Sequence, residues 1–406
     1  MNIVYIAVVA VILLLPAVRI RLKKELRVEN RAAEKFPDLS LKKLPAAPRQ
    51  FERWFGDRFG GREQYIGLVN DILYHLFHES PCEQLIVGRH GFIFLGSNTG
   101  GVDSRDSLIN LLFVFDRAKV ERAATDFISR LPQVERIPAK VVFLNLMSKH
   151  YLNFAELPAA VQKMVPDPGR LFSAEVEKEV IRRRPEAARY FVKLRPEAER
   201  AAAKMQLIPP RNYHWIPGPY THLAADVAAR HLGVTGRTYV PKREDYRYTQ
   251  VRSDLRQFVS RGLKTPALVT EERDFLRLGI TTVRGISKIM PEILPRSPVL
   301  EKRVYRSVNP AAPGGKLLLI GNSFTNPLCR DMARYFREVI SLEYTAIRLI
   351  DKSRGRDALR KLFARWHPEY IVVVSHVNAC DFVEFLTDVL PCFASAPERP
   401  AGGKGI

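Results

Sequence analysis

An α/β protein with parallel strands is what this sequence predicts, on three observations. A helical pattern over 117–131 runs into the apolar stretch Ala139–Asn145, which suits a central strand. A final unit reads as strand 316–320, helix 326–339, helix 354–366 and strand 370–375. Between the first of those strands and its helix stands Gly321-Asn322-Ser323-Phe324, so a serine falls where a buried strand breaks into a turn. With 406 residues, of which 46% are hydrophobic and 10% aromatic, the chain can bury a large core, and disorder is excluded.

Residues 3–18 are almost wholly apolar and are followed by Arg19, Arg21, Lys23 and Lys24, the pattern of an N-terminal membrane segment. No small-x-small cleavage site follows, which favours an uncleaved signal anchor over 1–26. Taken alone, the positive-inside rule would leave the basic cluster in the cytoplasm. Residues 27–80 read as a tether interrupted by Pro37, Pro45 and Pro48, then a helical neck with two helices between Arg49 and His78. One domain is expected over 81–392. It opens with a hairpin at Leu85–Leu95, two β-rich runs around a glycine-containing turn. Further on, 175–183 is helical, 188–194 has the composition of a strand, and 217–231 is an amphipathic helix. Residues 242–306 are harder to place and read as a partly helical insertion, and 393–406 is a tail rich in Pro, Gly and Ala.

The balance of 64 Lys and Arg against 43 Asp and Glu gives a net charge of +21. It favours an anionic partner, such as an acidic polysaccharide, a lipid surface or a nucleic acid, though a solvated basic surface reads the same way. Basic runs at 181–184 and 352–356 have no nucleic-acid recognition motif behind them, so no nucleic acid is expected. Cys82, Cys329, Cys380 and Cys392 lack zinc or redox spacing, and buried thiols are expected; Cys380 and Cys392 are near enough in sequence to pair in an exported protein. His75 and His78 have no carboxylate or cysteine at ligand spacing, so no metal is expected.

The chemistry gathers on two segments, Asn212-Tyr213-His214-Trp215 and the Ser323 turn. A serine hydroxyl needs a neighbouring imidazole to take its proton, and the imidazole needs a partner that fixes its tautomer. Ser323 and His214 suit the first two roles, and amides at the start of the following helix suit an oxyanion. As a bland alternative, Ser323 is a helix cap and His214 a core histidine.

Glu29-Asn30-Arg31, Phe55-Gly56-Asp57-Arg58-Phe59-Gly60-Gly61-Arg62, the Val87–Leu95 stretch, Ser148-Lys149 with Tyr151, His214-Trp215 and Gly321-Asn322-Ser323-Phe324 follow one another in a definite order. In that order the chain resembles the AlgJ/AlgX-like group of SGNH-hydrolase-fold proteins, the alginate O-acetyltransferase family, over about residues 1–390. Each motif is loose alone; the series is specific. The resemblance implies an SGNH-hydrolase-like parallel sheet flanked by helices, held at the periplasmic side of a bacterial inner membrane. It implies O-acetylation of an exopolysaccharide through a serine acetyl-enzyme, as in alginate acetylation, with no cofactor. The implied partners are an anionic or neutral exopolysaccharide and a membrane protein that donates acetyl.

Carried over by position, Ser323 matches the family's nucleophile and His214 its base. Lys149 matches a lysine that binds an acidic sugar or braces the loop, and Tyr151, Trp215 and Asn322 are further substrate-binding positions. Asn212 departs from the pattern, standing where an Asp-x-His-Trp motif has aspartate; Asn322 replaces the Asp of Gly-Asp-Ser-Phe. An amide hydrogen-bonds an imidazole without stabilising its cation, and the same exchange in a serine protease lowers turnover about 10⁴-fold. Asn212→Asp is therefore expected to raise the rate unless another carboxylate already serves His214. Two alternatives stay open: an acetyl esterase of the same fold, and a catalytically weakened polysaccharide-binding or scaffold protein of the export machinery.

Overall fold

The structure is a computed structural model that describes residues 25–26, 31–32, 34–37, 40, 44–58, 62–81, 85–96, 116–165, 167–260, 262–289, 300–343, 352–376 and 385–394. The apolar run 3–18 of the expected anchor lies outside the described residues, as does most of the expected tail. Among the described residues no helix is long and apolar enough to cross a membrane.

Two helices, α1 (Ala47–Arg58) and α2 (Arg62–Leu76), occupy the expected neck. The hairpin follows as β1 (Leu85–Val87) and β2 (Ile93–Leu95), paired antiparallel. Its turn needs Gly91, which sits at φ +77°. Next come α3 (Arg117–Glu135), β3 (Lys140–Leu146), α4 (Phe172–Arg183) and α5 (Pro219–His231). Asp116 caps α3 by accepting the Ala118 amide at 2.9 Å, and Val120, Ala124, Phe127, Leu131 and Val134 turn one stripe of that helix to the core.

The stretch expected to be a partly helical insertion does hold short helices, among them Glu272–Arg277, Ile286–Ile289 and Leu300–Arg303, but nearly as many of its residues are in strands. It forms an antiparallel hairpin, β4 (Arg247–Arg252) with β5 (Lys264–Val269), and two strands, β6 (Thr281–Arg284) and β7 (Val304–Val308). Most of β4 is exposed or half-exposed, so no apolar alternation marks it in the sequence. The chain closes with β8 (Gly314–Gly321), α6 (Thr325–Met332), β9 (Phe336–Glu343), α7 (Lys352–Trp366) and β10 (Tyr370–His376). The helix expected over 326–339 thus stops at Met332, because Phe336 pairs with Gly314 and carries Val339 and Ile340 into the sheet. The strand expected at 188–194 is a short 3₁₀ turn, Pro185–Tyr190, followed by one bridge from Phe191 to Phe143.

The six-stranded sheet has the order β3-β10-β8-β9-β7-β6. The first four strands are parallel, and β7 and β6 add antiparallel at one edge. Its central strands are apolar on both faces because both are covered. Leu317, Leu319, Val372 and Val374 face a core with Leu223 and Ala228 of α5 and Leu328 of α6. The alternate residues Leu318, Ile320 and Val373 face another core with Phe127 of α3 and Leu362 of α7. Cys329 and Cys392 are buried; Cys82 and Cys380 lie outside the described residues.

Candidate active site

Ser323 stands just past the carboxyl end of β8, a central strand, where ligands bind in open α/β sheets. Gly321 ends that strand because nothing larger fits: a Cβ there would lie 2.2 Å from the Val374 carbonyl oxygen of β10. Asn322 then shapes the turn. Its side-chain oxygen accepts the Phe324 amide at 3.1 Å, and its carbonyl accepts the Thr325 amide at 3.1 Å and the Thr325 hydroxyl at 2.8 Å. Two of the amides at the start of α6, where an oxyanion was expected to bind, those of Phe324 and Thr325, are therefore engaged by Asn322.

The structure brings His214 to Ser323. Nε2 of His214 lies 2.9 Å from Ser323 Oγ, and Nδ1 lies 2.9 Å from Asp254 Oδ2. Both His214 and Asp254 keep about a third of their side-chain surface in solvent, at 36% and 32%. The imidazole is packed among Tyr213, at 4.9 Å between ring centres, and Phe324, at 4.8 Å.

Asp254 holds the position for which Asn212 was expected. Asp254 Oδ1 accepts the Tyr213 amide at 2.8 Å, and Oδ2 accepts the His214 amide at 2.8 Å beside Nδ1. Burial pushes the Asp254 carboxyl up, but hydrogen bonds and charge from His214, with the two amides, outweigh it and leave the pKa lowered. Asn212 is buried and turned away from the imidazole, its Oδ1 accepting the Asp254 amide at 3.2 Å. The carboxylate comes from the connection between β4 and β5, forty positions further on than His214. Ser253 pins that connection, its hydroxyl donating to the Arg211 carbonyl and accepting the Leu255 amide at 3.0 Å. Sequence reasoning missed Asp254 because it lies in the stretch without a readable period; the Ser253-Asp254 pair, a turn-forming dipeptide, was the one local signal.

Lys149 does not face solvent. It is 3% exposed, and Nζ donates to the carbonyls of Ile93, Asn212 and Pro210, the last at 3.0 Å. Burial lowers its pKa to about 7 against the opposing pull of Asp254. Of the two roles expected of Lys149, these contacts fit the brace and leave no route to a sugar. Next to it His150, held neutral by burial and by the charge of Lys149 with its pKa lowered to about 3, donates Nε2 to the Leu95 carbonyl at 2.9 Å. Lys149 thus ties the β2 strand to the segment bearing His214, and the Ile93 amide adds a bond to the Pro210 carbonyl at 3.0 Å.

Trp215, expected to touch substrate, is 2% exposed and packs on Phe324, with 4.3 Å between ring centres, and on Tyr220. It supports the serine turn from behind. Tyr151 is half-buried, with its hydroxyl donated to Glu199 and the Arg195 guanidinium 4.8 Å over its ring. Ser323, His214 and Asp254 together are a hydroxyl, an imidazole and a carboxylate in one hydrogen-bonded line, an arrangement able to relay a proton away from the serine.

No family model and no curated protein matches the chain. Solved structures similar to it include a DHHW family protein from Eubacterium siraeum, with TM-score 0.44 and 11% identity over 68% of this chain and 90% of that one. Another is Bacillus cereus PatB1 with a sulfonyl adduct, with TM-score 0.42 and 12% identity over 66% and 91%. A third is the O-acetyltransferase domain of Pseudomonas putida AlgJ, with TM-score 0.39 and 12% identity over 74% and 98%. At 11–12% identity none of these similarities carries a role over to this chain, whose chemistry rests on Ser323, His214 and Asp254.

Proposed function

We propose that the protein is a serine acyltransferase that O-acetylates an exopolysaccharide. The observation that carries this reading is the line from Asp254 through His214 to Ser323 at the carboxyl end of a central strand. In the first half-reaction Ser323 Oγ attacks the acetyl carbonyl of the donor while His214 Nε2 takes the hydroxyl proton. The imidazolium is held by Asp254 and returns the proton to the leaving group, which departs as acetyl-Ser323 forms. In the second, a sugar hydroxyl attacks the acetyl carbon and loses its proton to His214, which passes it to Ser323 Oγ as the ester transfers. Water in place of the sugar gives an esterase through the same intermediate.

The net charge of +21 favours an acidic polymer as acceptor. The apolar run at 3–18 supports attachment to a membrane, and the resemblance to the alginate O-acetyltransferase family supports a catalytic domain on the periplasmic side of the inner membrane with a membrane protein as acetyl donor. The test is mass spectrometry of the protein after incubation with a chromogenic acetyl ester. The expected result is one acetyl group on Ser323 that is absent in a folded Ser323→Ala variant. A folded wild-type protein that never acquires the adduct overturns the nucleophile and returns the polysaccharide-binding reading.

A further inference from the structure

The neck carries surface that the chemistry does not use. One face of α2 is docked on the catalytic domain: Asn70 donates to the Phe258 carbonyl at 3.1 Å, and Tyr74 is buried against Leu85, Ile93 and Leu255. The rest of the helix would ordinarily be polar. Here Tyr65, Leu68, Val69, Ile72 and Leu76 recur at i, i+3, i+4, i+7 and i+11, and they are 42%, 58%, 52%, 43% and 69% exposed. A stripe of that size, all on one helix and all facing out, marks a surface that is covered in use.

The neighbouring helix says what covers it. In α1, Phe51 is exposed and stacks with Phe55, while Trp54 meets Phe36 at 5.0 Å between ring centres and carries the Arg58 guanidinium 5.2 Å over its own ring. Arg49 and Arg53 are exposed on the same helix. Aromatic rings beside arginines are the composition of an element lying at a lipid headgroup boundary.

The chain path keeps this element close to the apolar segment. Glu25 pairs with Ala32, so the residues between them add no reach. Glu34 is then fixed to α1, its amide donating to Asp57 at 2.7 Å and its carbonyl accepting from Arg58 at 2.6 Å. From the end of the apolar run at Val18 to that attachment no more than about 40 Å of chain is available.

We propose that the neck lies on a phospholipid surface, with the α2 stripe entering the boundary between headgroups and acyl chains and the arginines of α1 facing anionic headgroups. The proposal rests on the reading of residues 3–18 as a membrane anchor. Its test uses the full chain, reconstituted alone in vesicles of equal parts phosphatidylethanolamine and phosphatidylglycerol, with p-benzoylphenylalanine in place of Val69, of Leu13, or of the exposed Glu244 as background. After irradiation, lipid adducts are expected at positions 13 and 69 and lost at position 244. A lipid adduct at 13 with none at 69, or a cross-linked dimer of the chain at 69, overturns the neck proposal and leaves the anchor standing. Absence of an adduct at 13 overturns both.

Discussion

Replacing Asp254 by asparagine is the sharpest test of the relay. Three N–H groups converge on the carboxylate, from the Tyr213 amide, the His214 amide and His214 Nδ1, and all three need acceptors. An asparagine offers one oxygen and one NH₂. If its oxygen stays on the His214 side, the NH₂ opposes the Tyr213 amide and the segment must shift. If it flips, the NH₂ faces Nδ1, the imidazole takes the tautomer protonated at Nε2, and it can no longer accept the Ser323 proton. Either outcome also removes the negative charge that stabilises the imidazolium. The loss expected in acyl-enzyme formation is on the order of 10³–10⁴, or about 4–5.5 kcal/mol of barrier. The assay is the single-turnover rate of p-nitrophenyl acetate cleavage, with Ser323→Ala as the zero and circular dichroism to show folding. An Asp254→Asn protein within threefold or so of wild type, on the scale of a sub-kcal/mol effect, would refute the assignment of Asp254 as the partner of His214.

Three further outcomes follow from the same contacts. Asn212→Asp, which would raise the rate of a site lacking its acid, is expected to give no gain in the ester assay, since Asp254 already serves Nδ1 and the side chain at 212 faces the Asp254 amide. Lys149→Met takes the Nζ donor from three buried carbonyls, of which Pro210 keeps the Ile93 amide, and should cost on the order of 3–5 kcal/mol, read as a lowered urea midpoint. Its pH profile carries a sign. The Lys149 pKa is near 7 when folded against 10.5 for the ordinary side chain, so between those values the unfolded chain holds a proton that the folded one has shed. The Lys149 contribution to stability therefore rises with pH across that window and is lost as pH falls through 7, and Lys149→Met should flatten this part of the curve. Gly321→Ala forces a methyl group to within 2.2 Å of the Val374 carbonyl, which should destabilise the protein by about 1–3 kcal/mol and slow the ester assay by displacing Ser323.

How far the sequence discloses this architecture depends on how deeply each element is buried. Strands β8 and β10 are readable because helices cover both faces, so Leu317 to Ile320 and Ile371 to Val374 are unbroken apolar runs. Helix α3 is readable from its buried stripe, and the β1–β2 hairpin from its turn. Where packing is one-sided or the element projects into solvent, the pattern fails: the exposed β4 strand has no alternation, and the region holding it looks like an insertion. The end of α6 is hidden for another reason. Residues 333–339 carry apolar spacing that suits a helix as well as a strand, and pairing of Phe336 with Gly314, a long-range contact, decides between them.

The site repeats this division at the scale of single residues. Ser323 and His214 announce themselves because each sits in a local context that chemistry demands, a turn after a buried strand and an irregular loop of aromatics. Asp254 has no such context, because a carboxylate that orients an imidazole needs only to arrive there, from any element. What fixes its arrival is distributed: Ser253 bonds to Arg211, Asn212 accepts the Asp254 amide, and Lys149 gathers Ile93, Pro210 and Asn212 from below. In that frame Asn212 is a suitable residue where it stands. Its side-chain oxygen must accept from the Asp254 backbone, and an aspartate in the same buried position would set a second negative charge beside the first. A neutral amide at 212 and an acid at 254 are therefore one arrangement, in which the residue that looks like a defect in the motif holds the replacement carboxylate against His214.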